Sequence, residues 1–247
     1  MQLIPAIDIK DGQCVRLRQG RMDDATVFDE DPVRVAEHWL ATGADRLHVV
    51  DLDGARAGRP VNNKVVGNIV AAAGDVPVQI GGGIREETDI DTYLEQGVEY
   101  VILGTRAVSG PHFVADAAVE FPGHIIVGLD SENGMVATDG WSKLSNHRVG
   151  ELASRFEAEG VVAIIHTDIA RDGMMQGLNA DATQTLASEL TIPVIASGGA
   201  TNLDDIRALL DAEEEGVSGV ILGRALYEGG IDFGEARALV DKAHTTP

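Results

Sequence analysis

Eight short apolar, β-branched runs alternate with eight amphipathic stretches along this chain, and that alternation restricts the possible fold more than any other feature. The runs are Leu3–Asp8, Leu47–Leu52, Val76–Ile80, Tyr100–Leu103, His124–Asp130, Val162–Thr167, Val194–Ala196 and Gly219–Leu222. Their nearly continuous apolar character suits parallel strands buried on both faces. Helical periodicity covers Pro32–Thr42, Asn63–Ala73, Glu87–Gln96, Pro111–Glu120, Arg148–Glu159, Ala180–Leu190, Leu203–Ala212 and Phe233–Ala243. Eight βα units of roughly 30 residues account for the 247 residues, which predicts one (β/α)8 TIM barrel domain over residues 1–247. A doubly wound open sheet is the alternative for the same units. No Pro/Gly/Ser-rich linker divides the chain.

An internal echo predicts that the barrel is built of two similar half-barrels. Ala6-Ile7-Asp8 resembles Gly128-Leu129-Asp130 at an offset of 122 residues. His48-Val49-Val50-Asp51 resembles His166-Thr167-Asp168 at 118, and Gly82 in a glycine run matches Gly199 at 117. Gly104-Thr105-Arg106 resembles Gly223-Arg224-Ala225 at 119. Four matches in the same order at about half the chain length argue for duplication.

Charge excludes several function classes. With 19 Lys+Arg against 40 Asp+Glu, the net charge is −21. Such a chain repels nucleic acids and anionic membranes, and it has no Lys/Arg cluster for counterion release. Aromatic residues make up only 4%, too few for a base-stacking surface. There is no run of about 18 apolar residues and no signal-peptide pattern, so a cytoplasmic monomer without nucleic-acid or membrane partners is expected. Four lysines among so many acids suggest salt adaptation. Cys14, the sole cysteine, rules out an internal disulfide and any multi-cysteine metal site, and no His-x-x-x-His spacing is present. No metal is expected, and Cys14 is read as inert.

Active sites of such barrels lie at the carboxyl ends of the strands, where the glycines of this chain collect. Gly82, Gly83 and Arg85 follow the third run, and Gly104 and Thr105 the fourth. Gly198 and Gly199 follow the seventh, Gly223 and Arg224 the eighth, and Gly177 is grouped with them. Glycine lets backbone N–H groups approach an anion closely, so two such pairs across one mouth imply a small bisphosphate substrate. Ordinary tight turns are the alternative. Arg16 and Arg18, with Arg85 and Arg224, can offset the repulsion of that substrate by an acidic protein. Asp8 and Asp130 end opposite strands and can serve as general base and acid, or simply cap helices. Asp51, Asp53, Asp168 and Asp172 are candidates of second rank. Thr167 can hydrogen-bond a carboxylate, and Trp141 can stack on a flat heterocycle. His48 and His166 read as core histidines. The long segment Lys10–Asp31 exceeds ordinary loop length and is expected to act as a lid.

These residues carry a resemblance over the full length. Ile4-Pro5-Ala6-Ile7-Asp8, the segment Gly12 to Gly20 with Val15-Arg16-Leu17 and Gln19, His48-Val49-Val50-Asp51-Leu52-Asp53, Gln79 to Arg85, His166 to Gly173 and Ser197-Gly198-Gly199 fit one family. The chain resembles the phosphoribosylformimino-5-aminoimidazole carboxamide ribotide isomerases of histidine biosynthesis. The related cyclase subunit of imidazole glycerol phosphate synthase usually has Cys-Leu-Asp in the first strand and Ser in the sixth. Ala6-Ile7-Asp8 and His166-Thr167 favour the isomerase. The resemblance implies a cofactor-free Amadori rearrangement of an aminoaldose to an aminoketose. It assigns Asp8 as the base at C2′ and Asp130 as the acid at the ring oxygen, with Asp172 as the other candidate acid and Thr167 orienting its neighbours. A dual-substrate isomerase that also accepts phosphoribosylanthranilate remains open at this level, as does a non-catalytic phosphate-binding barrel.

Overall fold

The computed structural model describes residues 1–18, 21–110, 112–138 and 140–245, leaving aside the side chains of 18 and 21–23. Gln19, Gly20, Pro111, Asp139 and the Arg18 side chain therefore lie outside the described residues. Every expected strand is present: β1 (Gln2–Lys10), β2 (Leu47–Asp51), β3 (Val78–Gly81), β4 (Tyr100–Leu103), β5 (Ile125–Glu132), β6 (Ala163–Asp168), β7 (Val194–Ser197) and β8 (Val217–Leu222). Each pairs in parallel with its neighbours in sequence, and β8 pairs with β1. That last pairing closes the ring and excludes the open sheet. The fold is a (β/α)8 TIM barrel.

Alternation along the strands divides two cores. Ile4, Ala6, Ile102, Ile126, Ala163, Ile165, Ile195 and Ile221 pack together as one cluster. They fill the barrel interior with branched side chains. Leu3, Ile7, Leu47, Val49 and Ile80 belong to a larger cluster. It includes the inner faces of α1 (Pro32–Ala41), α2 (Asn63–Ala73), α3 (Glu87–Glu95), α4 (Phe113–Glu120), α5 (Val149–Glu159), α6 (Ala180–Ser188), α7 (Leu203–Leu210) and α8 (Phe233–Thr245). Local chemistry starts several of these helices. Asp31 accepts from the N–H of Val33 with Pro32 in the first turn, and Glu86/Asp89 and Asn202/Asp205 form capping boxes on α3 and α7. No helix among the described residues is long and apolar enough to cross a membrane.

The segment expected as a long lid loop is a hairpin. Its strands, Gln13–Arg18 and Arg21–Asp29, extend the edge of β1 with Lys10 opposite Gln13. The two-residue turn between β1 and the hairpin is Asp11-Gly12, both at positive φ (52° and 75°), the signature of a type I′ turn. A second hairpin, absent from the sequence reading, follows β5. Asn133-Gly134 (φ 52° and 77°) leads from Glu132 to Met135, and Met135–Thr138 pairs with Lys143–Arg148. The two turns stand at the same distance beyond Asp8 and Asp130. The duplication therefore extends to the backbone that holds those carboxylates.

Candidate active site

The carboxyl ends of the strands surround a cavity of about 690 Å³, within the size range of small-molecule sites. Asp8, Asp130, Asp172 and Thr167 line it together with both glycine clusters. Three carboxylates meet there in different company. Asp8 forms an ion pair at 2.7 Å with Nη1 of Arg16, which is 7% exposed. The hairpin carries Arg16 back over the mouth because Val15 lies directly opposite Asp8. The guanidinium rests 4.6 Å from the Tyr227 ring centre and also donates to the Ala6 carbonyl. The Tyr227 hydroxyl donates to the same carbonyl at 2.7 Å. Arg16 thus buttresses the carboxyl end of β1 while lining the cavity.

Asp130 accepts from the Trp141 indole Nε1 at 2.8 Å and from the Thr167 hydroxyl. Thr167 reaches it because the two are register partners on β6 and β5. Burial pushes the Asp130 carboxyl up, and these two donors oppose the shift. Trp141 pays a backbone cost to be there, with φ at 68°. Asp172 lies in the loop after β6, anchored by its own N–H to the Asp168 carbonyl at 3.0 Å. Burial pushes its carboxyl up to about 7, with the charges of Asp8 and Asp130 adding to the shift and Arg16 opposing it.

The glycine clusters match across the barrel, one residue away from the sequence pairing. Gly82 and Gly198, both at positive φ, stand against the carbonyls of Asp51 and Asp168. A Cβ at Gly83 would fall 2.7 Å from the carbonyl oxygens of Gly54 and Arg59, and one at Gly199 would fall 2.8 Å from that of Gly177. Gly82 therefore corresponds to Gly198, and Gly83 to Gly199. Gly104 (φ −104°, ψ −110°) and Gly223 (φ −104°, ψ −115°) share one conformation, each opening a short helix, Thr105–Ser109 and Arg224–Tyr227. Arg85 and Thr105 line the cavity on one side and Arg224 on the other. Gly177 is not among the lining residues; its carbonyl accepts from Arg171 behind Gly199.

The model of the histidine biosynthesis protein family matches residues 2–232. The chain belongs to that family. Curated relatives from Thioalkalivibrio sulfidiphilus (63% identical over 98% of this chain and 100% of its own), Chromobacterium violaceum (61%, 98% and 99%) and Methylococcus capsulatus (61%, 98% and 99%) are similar throughout. Each is named a 1-(5-phosphoribosyl)-5-((5-phosphoribosylamino)methylideneamino) imidazole-4-carboxamide isomerase.

In this member of the histidine biosynthesis family, the remaining sequence candidates separate by what they touch. Asp51 is fully buried and accepts from the N–H groups of Gly54, Val61 and Asn62 and from the Asn62 amide. Asp168 accepts from Ala170 N–H and the Asn179 amide in the matching loop. Both organise loops, and Asp53 helps by accepting from Asp11 N–H and Asn62. The two histidines are not equivalent. His166 faces outward, with Nδ1 on Thr183 and Nε2 on Ser131, whereas His48 faces the cavity. A one-residue slip in the echo reverses the face of a strand residue; aligning Asp51 with Asp168 puts Val49, not His48, at the position of His166. Cys14 is buried beside the Tyr227 hydroxyl, and burial pushes its thiol up. The sequence reading missed Arg56 and Arg106 at the mouth. Arg106 follows Gly104 at a fixed spacing, and that adjacency was a usable signal.

Proposed function

We infer that the chain is an aldose–ketose isomerase of histidine biosynthesis. It converts the aminoaldose ProFAR to the aminoketose PRFAR by an Amadori rearrangement. The observation that carries this reading is the meeting of three carboxylates between two matched glycine cradles in one cavity. A substrate with two phosphoribosyl groups suits such a mouth. Backbone N–H groups around Gly82, Gly83 and Gly104 take one phosphate, and those around Gly198, Gly199 and Gly223 take the other. Arg85, Thr105, Arg106 and Arg224 add local donors and positive charge. Fixing both ends holds the reacting ribose between the carboxylates, which is a positioning contribution.

The chemistry needs one proton delivered to the ring oxygen and one removed from C2′. Protonation of the ring oxygen breaks its bond to C1′ and leaves a Schiff base. Removal of the C2′ proton then gives an enaminol, which becomes the ketone at C2′ as C1′ gains a proton. Asp8, positioned by its contact with Arg16, takes the C2′ proton. Asp172 is the better donor to the ring oxygen. Its carboxyl is pushed up to about 7, and no described side chain donates to it, so about half of it holds a proton at neutral pH, where an ordinary carboxyl is almost wholly ionised. Asp130 has two donors that favour its anion, which suits it to balance the positive Schiff base; Thr167 and Trp141 orient it. Every step is a proton transfer between groups of the chain and substrate, so the reading needs no cofactor.

Steady-state turnover of purified protein with ProFAR, and separately with phosphoribosylanthranilate, tests the reading. Turnover of ProFAR alone is expected, with loss in Asp8→Asn. Turnover of both identifies a dual-substrate isomerase. Turnover of neither, at low and at molar salt, overturns the reading.

A further inference from the structure

A buried polar chain runs up the inside of the barrel from its lower end to the cavity, and nothing in the mechanism above uses it. Arg46 is buried (9% exposed), with its guanidinium stacked 4.3 Å from the Tyr100 ring centre. It makes no ion pair with a carboxylate among the described residues; burial works against its charge, and only Tyr100 and the more distant Glu99 favour it. Its Nη1 donates to Oε1 of the fully buried Gln79 at 3.0 Å. Gln79 Nε2 lies 2.9 Å from Nδ1 of His48, its register partner on β2. His48 then lines the cavity.

The direction of these hydrogen bonds is fixed by chemistry. A guanidinium has donors only, so the Gln79 atom facing Arg46 must be the oxygen. The atom facing His48 is then the amide NH2, another donor. Nδ1 of His48 must accept, and the proton of the neutral ring sits on Nε2. No described residue accepts from Nε2. His166, on the matching strand, has both ring nitrogens engaged by side chains and so has no free donor.

We propose that Arg46 and Gln79 are positioning residues that lock His48 in its Nε2–H tautomer, making it a neutral hydrogen-bond donor to a hydroxyl oxygen of the reacting ribose. This rests on the isomerase reading for its substrate, while the tautomer itself does not. A neutral donor has a use beside three carboxylates, where an imidazolium would form an ion pair with the base or acid instead of binding the sugar. Burial and the positive charges of Arg16 and Arg46 keep the ring neutral, with its pKa pushed down to about 3. An unpaired buried arginine is otherwise hard to account for; here its charge sets the orientation of one amide.

Gln79→Glu is the discriminating variant. A carboxylate still accepts from Arg46 and gives that cation a partner, so the fold is retained. It also accepts from the ring, which moves the His48 proton to Nδ1 or charges the imidazole. Two readouts are needed: the ring 15N–1H correlations of His48, and kcat and KM for ProFAR. Expected are an Nε2–H ring in the parent protein, an Nδ1-protonated ring in Gln79→Glu, and a kcat lowered roughly 10- to 100-fold with an unchanged melting temperature or a higher one. His48→Gln, which keeps a donor, should recover more kcat than His48→Leu. An Nδ1–H ring in the parent protein overturns the proposal. So does a switched tautomer with kcat within twofold of the parent. Because the tautomer is read without substrate, its failure is distinct from failure of the parent protein to turn over ProFAR.

Discussion

Replacing Asp172 with Asn should make the protein more stable and nearly inactive, and both effects follow from one burial. The Asp172 carboxyl is pushed up to about 7 from its ordinary value of 3.8. At about 1.4 kcal/mol per tenfold change in protonation, that difference is on the order of 4 kcal/mol. The folded state holds the proton more tightly than the unfolded state, so it binds more protons between pH 4 and pH 7. Stability is therefore fully present below about pH 4 and is lost as the pH rises through 7. Above that, the folded protein bears a buried anion facing Asp8 and Asp130. Asn cannot ionise, so Asp172→Asn should gain up to on the order of 4 kcal/mol at pH 8.5 and little at pH 4.5. For a domain of this size that is roughly 10 °C in melting temperature. Turnover should fall by roughly 10²- to 10⁴-fold, the usual worth of a general acid. Parallel melts at the two pH values and steady-state kinetics measure both. Equal gains at both pH values would show that packing, not ionisation, stabilises the variant. Normal turnover would remove Asp172 as the acid and return that role to Asp130.

Trp141→Phe removes the indole N–H from Asp130 while keeping an aromatic ring. A lost hydrogen bond to a charged group is worth about 1.5–3 kcal/mol, so kcat should fall at least tenfold with melting changed little; a change confined to KM refutes the orienting role. Gly83→Ala places a Cβ 2.7 Å from two carbonyl oxygens at φ 80°, so KM and the inhibition constant of inorganic phosphate should both rise tenfold or more; an unaltered phosphate affinity takes this loop out of the site. Asp51→Ala leaves the N–H groups of Gly54, Val61 and Asn62 and the Asn62 amide without their acceptor. At about 1–3 kcal/mol for each buried donor left unsatisfied, chemical denaturation should show a loss of at least 3 kcal/mol, and a loss below 1 kcal/mol would mean water replaces the carboxylate.

The barrel was legible because its strands are buried on both faces, so apolar runs mark them without ambiguity, and glycines mark where they end. The hairpins were hidden by composition: Arg21–Asp29 contains four charged residues, and Lys143–Arg148 is largely exposed, so neither carries an apolar run. Their turns were nevertheless written plainly, as Asp11-Gly12 and Asn133-Gly134 between paired strands. The candidate site residues were legible as types but not as states. Spacing marked Asp8, Asp130 and Asp172; it could not reveal that Arg16 would pair with the first, Trp141 and Thr167 with the second, and no described donor with the third. Those differences arise from contacts across the barrel, between residues as far apart in sequence as Arg16 and Tyr227. The face of His48 was hidden for a related reason: strand periodicity gives a face only once the register is known, and the echo pairs His48 with His166 one residue out.

On the proposed reading, the duplication explains why binding and catalysis would divide between the glycine cradles and the carboxylates. A twofold scaffold gives two like cradles, and a substrate with a phosphate at each end needs two. Proton transfer cannot use two like groups, because one carboxyl must be charged while another holds a proton. The barrel meets that need by varying only what surrounds each carboxylate. Asp8 and Asp130 keep matched backbone positions beyond which the chain turns at matched Asx-Gly pairs. The added residue, Asp172, sits in one half only, in the loop after β6, and its charge is opposed by both of the others. The same division applies to the histidines: His166 is spent on Thr183 and Ser131, and His48 keeps one nitrogen for the cavity. Symmetry is retained where the ligand is symmetric and broken where the chemistry has a direction.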